Sequence, residues 1–318
     1  MEKEYNFYKS SRFFCRSIQM PSILVNPTCF VCGTSNNKKL FVSNNVHGRV
    51  VINADDHFHV YKCNTCDSVY LGNVIVSKEY YQKYYDKDYY NASILTSANF
   101  VQKTCLVLEK FSFSRKVNLF KNFFKEKKKY NILDIGCGTG KFLLRLDSNV
   151  FTKYGIEINA EGYKQCIQNG IIAYNQALQD IDFGTTKFDV ITLFHVLEHL
   201  ENPTQTLLAI HPILSDDGVL IISVPNNRSL GFLLGYKNWF HLDSPRHLFI
   251  PSIHTLKYLA DKTNFKILKS FNAFYEYPMD LFWSIKYSKY KYFIYLLYPF
   301  FKMFSKESIT ILLKKQKC

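Results

Sequence analysis

The segment Asp134-x-Gly136-x-Gly138-x-Gly140 sets glycines at every second position, behind an apolar run and ahead of a helical pattern. Glycine lets a backbone turn tightly and approach a ligand that a Cβ would exclude. A helix start beyond it offers unpaired N–H groups and a positive dipole end, which suit a carboxylate as well as a phosphate. Glu157 closes the next apolar run, 17 positions after Gly140. A carboxylate there can accept hydrogen bonds from two ribose hydroxyls. The spacing G-x-G-x-G is not the G-x-G-x-x-G of nicotinamide-binding loops.

Two further polar groups follow. His195, Glu198 and His199 lie in FHVLEHLENP, and His241, Asp243, Arg246 and His247 in NWFHLDSPRHLF. The spacing in the first string puts its three residues on one face if the segment is helical. His199, His241 and His247 are candidate general bases, because imidazole titrates near neutral pH. Asp243 can orient one of them, and Arg246 can hold an anionic group bidentately.

Four of the nine cysteines form two CxxC pairs, Cys29/Cys32 and Cys63/Cys66. Paired thiolates on tight knuckles give tetrahedral four-sulfur coordination, so the pattern predicts a structural zinc ion. Gly33 and Asp67 suit the turns, and no thioredoxin-like frame supports a redox dithiol. His47, His57 and His59 lie between the pairs and read as surface residues. CxxC pairs within an odd cysteine count point to a reducing compartment.

The elements that must position these groups come from hydrophobic periodicity. Apolar runs at Tyr130–Ile135, 152–158, 171–174, Phe188–Phe194, 219–224 and 265–271 read as strands, with 308–313 as a seventh. Helical patterns occupy 141–146, 161–169, 203–214 and 252–263, with Gly170 as a C-cap. Continuous apolar strands alternating with amphipathic helices predict a mostly parallel α/β sheet covered on both faces. Residues 97–124 also carry a helical pattern, and 77–95 are rich in tyrosine (Tyr80, Tyr81, Tyr84, Tyr85, Tyr89, Tyr90), fit to pack the cysteine module onto the main domain. The expected division is a lead over 1–28, a zinc ribbon with its Tyr-rich segment over 29–95, a helical linker over 96–129 and the main domain over 130–317, with an aromatic helical insertion at 278–306.

The glycine loop in its strand–loop–helix–strand–acid setting resembles the class I S-adenosylmethionine-dependent methyltransferases, over about residues 130–271 and more loosely to 315. The resemblance implies a Rossmann-like seven-stranded sheet whose last strand is antiparallel and inserted beside the fifth. It implies that Asp134, Gly136, Cys137, Gly138 and Gly140 hold the methionine part of S-adenosylmethionine and that Glu157 holds the ribose, with Ile158 also in the cofactor site. Ala177 and Leu178 stand where the family contacts adenine, and Phe194 and His195 lie under the cofactor. The string HVLEH is similar to the metal-binding ExxEH element of small-RNA 2′-O-methyltransferases and quinone-type O-methyltransferases, with His195 in place of the first Glu. The strings HLDSPRHLF and PSIHTLKYLADKTNF resemble methyltransferases met among surface-polysaccharide genes, which implies methyl transfer to an oxygen, or a carbon, of a small-molecule, sugar or glycan-linked acceptor. A ribosomal-RNA base methyltransferase and a catalytically silent zinc-binding scaffold are the alternatives; no NPPY-like motif follows the fourth strand.

The charge balance leaves the partner open. Lys+Arg number 40 against Asp+Glu 26, a formal net charge of +14. Such an excess attracts nucleic acid, an anionic membrane or an anionic substrate. Wealth in Lys, Asn, Tyr, Phe and Ile equally fits the codon bias of an AT-rich genome. Residues 281–304 combine lysines with dense aromatics, which fits a lid, a packed helical pair or a peripheral membrane contact. Pro299 is expected to break any helix there. No apolar run is long enough to span a bilayer and no leader is evident, so the expectation is a cytoplasmic protein, peripheral at most to the inner membrane face.

Overall fold

The computed structural model describes residues 27–316 apart from 48–49, 86–113, 115–116, 119–128 and 273–275. Most of the helical reading of 97–124, most of the 1–28 lead and Tyr89 and Tyr90 lie outside the described residues.

Two sheets organise the described chain. The smaller uses β1 (Asn37–His47), β2 (Val50–Cys63) and β3 (Val69–Leu71), followed by the helix Lys78–Tyr84. The larger uses β4 (Tyr130–Ile135), β5 (Phe151–Ile156), β6 (Ile172–Tyr174), β7 (Phe188–Phe194) and β8 (Leu214–Pro225). The chain then makes the short strand β9 (Phe249–Ile250), and ends with β10 (Phe265–Asn272) and β11 (Ser308–Lys315). The larger sheet runs β10-β11-β8-β7-β4-β5-β6. Strands β4 to β8 pair in parallel, while β11 is antiparallel to both β8 and β10. This is the seven-stranded arrangement expected from the sequence, inserted last strand included.

Period-two alternation explains why both faces are covered. Leu133, Ile191, Leu220 and Ile222 point into one apolar cluster, and Ile132, Val190, Val219 and Ile221 into another. Each fully buried aliphatic side chain contributes about 1.5–3 kcal/mol, so neither face tolerates a register slip. The covering helices start where their sequences allow it. Asn159 accepts from the backbone N–H groups of Glu161 and Gly162, opening Ala160–Gln168. Pro203 occupies the first turn of Pro203–Ile213. Ser252 and Thr255 form a reciprocal capping box on Ile253–Lys262.

One expected helix is absent. Residues 141–146 make only a 3-10 turn at Leu143–Arg145. Asp147 begins a competing turn, its carboxylate accepting from Asn149 N at 2.8 Å and its carbonyl from Phe151 N at 2.9 Å. The chain therefore reaches β5 without a full crossover helix, and the glycine loop is followed by a single helical turn.

The cysteine-bearing ribbon is part of the main body. Its sheet runs β1-β2-β3-β9, so its last strand comes from the loop that carries His241 to His247. Val69 and Tyr70 pair with Ile250 and Phe249. Arg228 grips Asp67 through Nε (3.0 Å) and Nη2 (2.6 Å). At the opposite end, the Arg246 guanidinium donates to Asp243 (3.0 Å), to Asn45 Oδ1 (3.1 Å) and to the Val46 carbonyl. His47 Nδ1 meets the same Asp243 carboxylate at 2.7 Å. His47 is thus tied to the main domain while staying partly exposed, because it ends the strand that reaches this carboxylate.

Residues 276–307 form the aromatic insertion, with helices Asp280–Ser284, Lys291–Leu296 and Tyr298–Phe304. Leu281, Ile285 and Ile294 are its core. Pro299 does not break a helix but sits in the first turn of one, where its missing N–H costs nothing. Among the described residues no helix is long and apolar enough to cross a membrane.

Arg246→Ala would leave the Asp243 carboxylate buried without its guanidinium. The expected loss is about 3–5 kcal/mol in urea-induced unfolding; an unchanged midpoint and slope would refute this joint.

Candidate functional site

The carboxyl ends of β4, β5, β7 and β8 face one crevice, where open α/β sheets hold ligands. The glycine loop closes its β4 side. Gly136 N and Cys137 N donate to the Ile156 carbonyl at 2.8 and 3.0 Å, which bends the loop back over β5. Gly136 has φ +70°, and a Cβ there would lie 2.4 Å from Val196 Cγ2. Gly138, at φ +56°, has open space where a Cβ would be. The first glycine is demanded by packing, and the second keeps the loop's outer face low for a ligand. Thr192 donates to Asp134 Oδ1 at 2.6 Å, holding that carboxylate at the strand end.

Glu157 links the loop to the next helix. Its two oxygens accept from Gly138 N at 2.8 Å and Asn159 N at 2.7 Å. Burial raises its pKa, opposed by these backbone N–H groups. Each oxygen retains a lone pair for a hydroxyl donor. Ile158 is exposed beside it, Ala177 precedes a 3-10 turn, and Leu178 is buried in the apolar core. Phe194 packs edge-on against Phe142, beneath the loop's far end.

A cluster of ionisable groups occupies the β7 and β8 side. His195 has φ +57°, which turns its ring off the end of β7. Its Nε2 lies 2.9 Å from Glu276 Oε2 and its Nδ1 3.3 Å from Glu198 Oε1. Burial alone would lower its pKa; the two carboxylates outweigh that and raise it to about 9. His195 is therefore an imidazolium at neutral pH. Glu276 also accepts from Ser223 Oγ, at 3.1 and 3.2 Å to its two oxygens.

Glu198 is completely buried; Oε1 has the 3.3 Å ion pair with His195, and neither oxygen makes a well-aligned hydrogen bond among the described residues. Burial would raise its pKa, but His195 beside it lowers it, so it stays a carboxylate. His199 and His247 stack edge-on with centroids 4.7 Å apart. His199 Nδ1 sits 3.0 Å from the Arg246 carbonyl, and His247 Nδ1 2.8 Å from the His241 carbonyl. A carbonyl only accepts, so both rings carry the proton on Nδ1 and keep a lone pair on Nε2. Burial pushes both pKa values down, His199 to about 4. Glu198, His199 and His247 each offer a ligand atom within 4.8 Å of the others. Two neutral imidazoles and a carboxylate can serve as proton acceptors or hold a divalent cation.

The other expected residues are placed differently. His241 Nε2 meets Asp280 Oδ2 at 2.9 Å, so its ring ties the loop to the aromatic insertion. Asp243 is buried; burial would raise its pKa, but Arg246 holds it well below the usual carboxylate range. Its carboxylate also lies 3.9 Å from His247 Nε2. The Arg246 donors reach Asp243, Asn45 and Val46 in the ribbon joint, which favours a structural reading over capture of an anionic group. Glu276 and Tyr277 were not legible in the sequence; their only signal is their position after the β10 run. Tyr85, from the Tyr-rich segment, also enters the cluster, its hydroxyl 3.0 Å from His199 Nδ1.

The four ribbon cysteines converge. Cys29 and Cys66 sulfurs are 3.6 Å apart, Cys32 and Cys63 sulfurs 3.5 Å, and all four lie within 4.8 Å of one another. Tetrahedral zinc–sulfur bonds of about 2.3 Å put sulfurs about 3.8 Å apart, so the cluster fits that ion. Gly33 and Asp67 take φ +71° and +65° at the two knuckles, as expected. His57 and His59 lie outside the four-sulfur set.

Comparisons with known proteins agree with this geometry. Residues 109–270 match the family described as a methyltransferase domain. The ubiquinone biosynthesis O-methyltransferase of Haemophilus ducreyi is 30% identical over 114 residues, 32% of this chain and 48% of that one. The corresponding protein of Actinobacillus pleuropneumoniae serotype 5b is 32% identical over 114 residues, 32% and 49% of the two chains. The chain spans about half the length of these curated relatives. Among solved structures, magnesium protoporphyrin IX methyltransferase from Synechocystis with bound SAH has a TM-score of 0.51 at 15% identity, covering 76% of this chain and all of that one. The plantazolicin methyltransferase in complex with a triazolic desmethylPZN analog and SAH also scores 0.51, at 18% identity and 74% and 94% coverage. At such identities these likenesses show the fold.

The His195 imidazolium predicts a pH dependence. Its pKa is raised above the ordinary value of 6.5, so its stabilisation is complete below about 6.5 and is lost as pH rises through about 9. Thermal unfolding followed across that window should show a fall that is much smaller in Glu276→Gln. Equal slopes in the two proteins would disprove the ion pair.

Proposed function

Since this chain belongs to the methyltransferase-domain family, with the sheet of the class I S-adenosylmethionine-dependent enzymes, we propose that it transfers a methyl group from S-adenosylmethionine. The acceptor we assign is an oxygen, with carbon as the alternative, of a small-molecule, sugar or glycan-linked compound. The observation that carries the reading is the Gly138–Glu157 pair: an open-faced glycine beside a buried carboxylate with lone pairs to spare. The relatives named as O-methyltransferases support oxygen as the acceptor atom.

The sulfonium of the bound donor supplies a methyl group already activated for attack, so the protein's main task is positioning. Asp134, Gly136, Cys137, Gly138 and Gly140 would hold the methionine part, and Glu157 and Ile158 the ribose. Ala177 and Leu178 would border the adenine, and Phe194 and His195 would floor the crevice. As the acceptor oxygen takes the methyl group, its proton must leave. His199 and His247 keep unprotonated Nε2 atoms at neutral pH, which makes either one the acceptor of that proton. Glu198, buried and anionic, would stabilise the imidazolium so formed. His241, Asp243 and Arg246 then act by positioning this loop. The Cys29, Cys32, Cys63 and Cys66 cluster is read as a structural zinc site, since four thiolates leave no open coordination position.

Calorimetric titration with S-adenosylmethionine should show one site per chain, weakened at least about tenfold in Glu157→Ala, the equivalent of ~1.4 kcal/mol; absence of binding in the parent chain would sink the reading. Elemental analysis of the purified chain should return about one zinc per chain, the stoichiometry of a four-thiolate site. A folded, zinc-free protein would exclude the metal.

A further inference from the structure

The aromatic insertion presents a face that the methyl-transfer reading does not use. Tyr287, Tyr292, Phe293, Leu296, Phe300 and Phe304 are all exposed, Leu296 to 80%. The opposite side of the same segment is firmly seated. Ile294 packs on Leu281 and Ile285, and Lys302 is buried in an ion pair with Asp280. The apolar residues are therefore held outward by an anchored scaffold. A group of exposed apolar side chains on one short segment marks an interaction surface.

The charges around the patch indicate what covers it. Residues 281–306 contain five lysines and neither Asp nor Glu, and all but the buried Lys302 are available at the surface. Lys286, Lys289 and Lys291 each lie over a neighbouring tyrosine ring, at 5.4, 5.0 and 4.9 Å from its centroid. Long, flexible lysine side chains can carry these ammonium groups to a polar boundary while the rings enter an apolar one. Two short helices, Lys291–Leu296 and Tyr298–Phe304, carry all of these apolar groups except Tyr287. They are far too short to span a bilayer but long enough to lie in its interface. A second copy of the chain would set this acid-free lysine surface against itself, and like charges repel.

We propose that the face formed by residues 286–304 docks on the surface of an anionic lipid bilayer, with aromatic and leucine side chains in the acyl boundary and lysines among the headgroups. This docking stands apart from the cofactor reading: vesicle binding can fail while S-adenosylmethionine binding holds, and the reverse.

The test is co-sedimentation of the full chain with vesicles of phosphatidylcholine alone and of phosphatidylcholine mixed with phosphatidylglycerol. Binding is expected only to the anionic vesicles, and it should weaken as salt is raised. Lys286→Glu with Lys289→Glu should weaken it roughly tenfold or more, given about 1 kcal/mol per basic residue at such a surface. Leu296→Glu with Phe300→Glu should weaken it comparably, and since all four positions are exposed, circular dichroism should be unchanged in both variants. The proposal is overturned if the parent chain binds neither vesicle, or if both double variants bind as the parent does. It is likewise overturned if the parent forms a dimer that the Leu296/Phe300 variant dissolves, which would give the face to a second copy.

Discussion

Asp243 and Arg246 form a buried ion pair on a loop that has to serve three parts of the molecule at once. Taking two charges out of water is costly, and the cost is offset only when every remaining donor and acceptor is satisfied. The guanidinium meets this condition by reaching into the ribbon, to Asn45 and Val46, and the carboxylate by taking His47. The loop is consequently clamped between the ribbon and the sheet. Its next residues place His247 beside Glu198 and His199, and then enter the ribbon's sheet as β9. The preceding turn places His241 on Asp280, which also pairs with Lys302 of the aromatic insertion. Cysteine cluster, proton-accepting histidines and exposed aromatic face are thereby mechanically joined.

The electrostatics of the crevice follow from how each histidine is surrounded. Three imidazoles lie near one another, and one of them is charged. His195 stands between two carboxylates and keeps its proton. His199 and His247 donate Nδ1 to backbone carbonyls, lie against each other and are desolvated, so they stay neutral. The division gives one fixed cation and two acceptors within a few side chains, without any residue having to change state near pH 7. Glu198 balances the cation through Oε1, and the same oxygen lies 3.9 Å from His247 Nε2.

Much of the fold was readable because it rests on local, periodic signals. Apolar strands such as Phe188–Phe194 and Val219 to Val224 announce a buried sheet, and Gly33, Gly170 and Asp67 mark turns whose left-handed conformations the structure contains. The glycine loop and Glu157 were legible for the same reason, since donor and acceptor meet across a single strand–loop–helix unit. The helix expected over 141–146 failed because Asp147 offered the backbone a competing turn that hydrophobic periodicity does not weigh. Glu276 and Tyr277 were missed because no spacing links them to His195; they are neighbours through the pairing of β10 with β11, of β11 with β8 and of β8 with β7.

By itself the sequence determined the sheet, the glycine loop with its acidic partner and the four converging cysteines, because each is specified by residues close along the chain or by a repeated period. Only the tertiary structure decided which histidines are neutral, that Arg246 and His47 fasten the ribbon, and that Glu276 completes the charged cluster. Those outcomes depend on burial and on partners many strands apart. Desolvation and charge pairing are properties of a position in space, and spacing along a chain does not encode them.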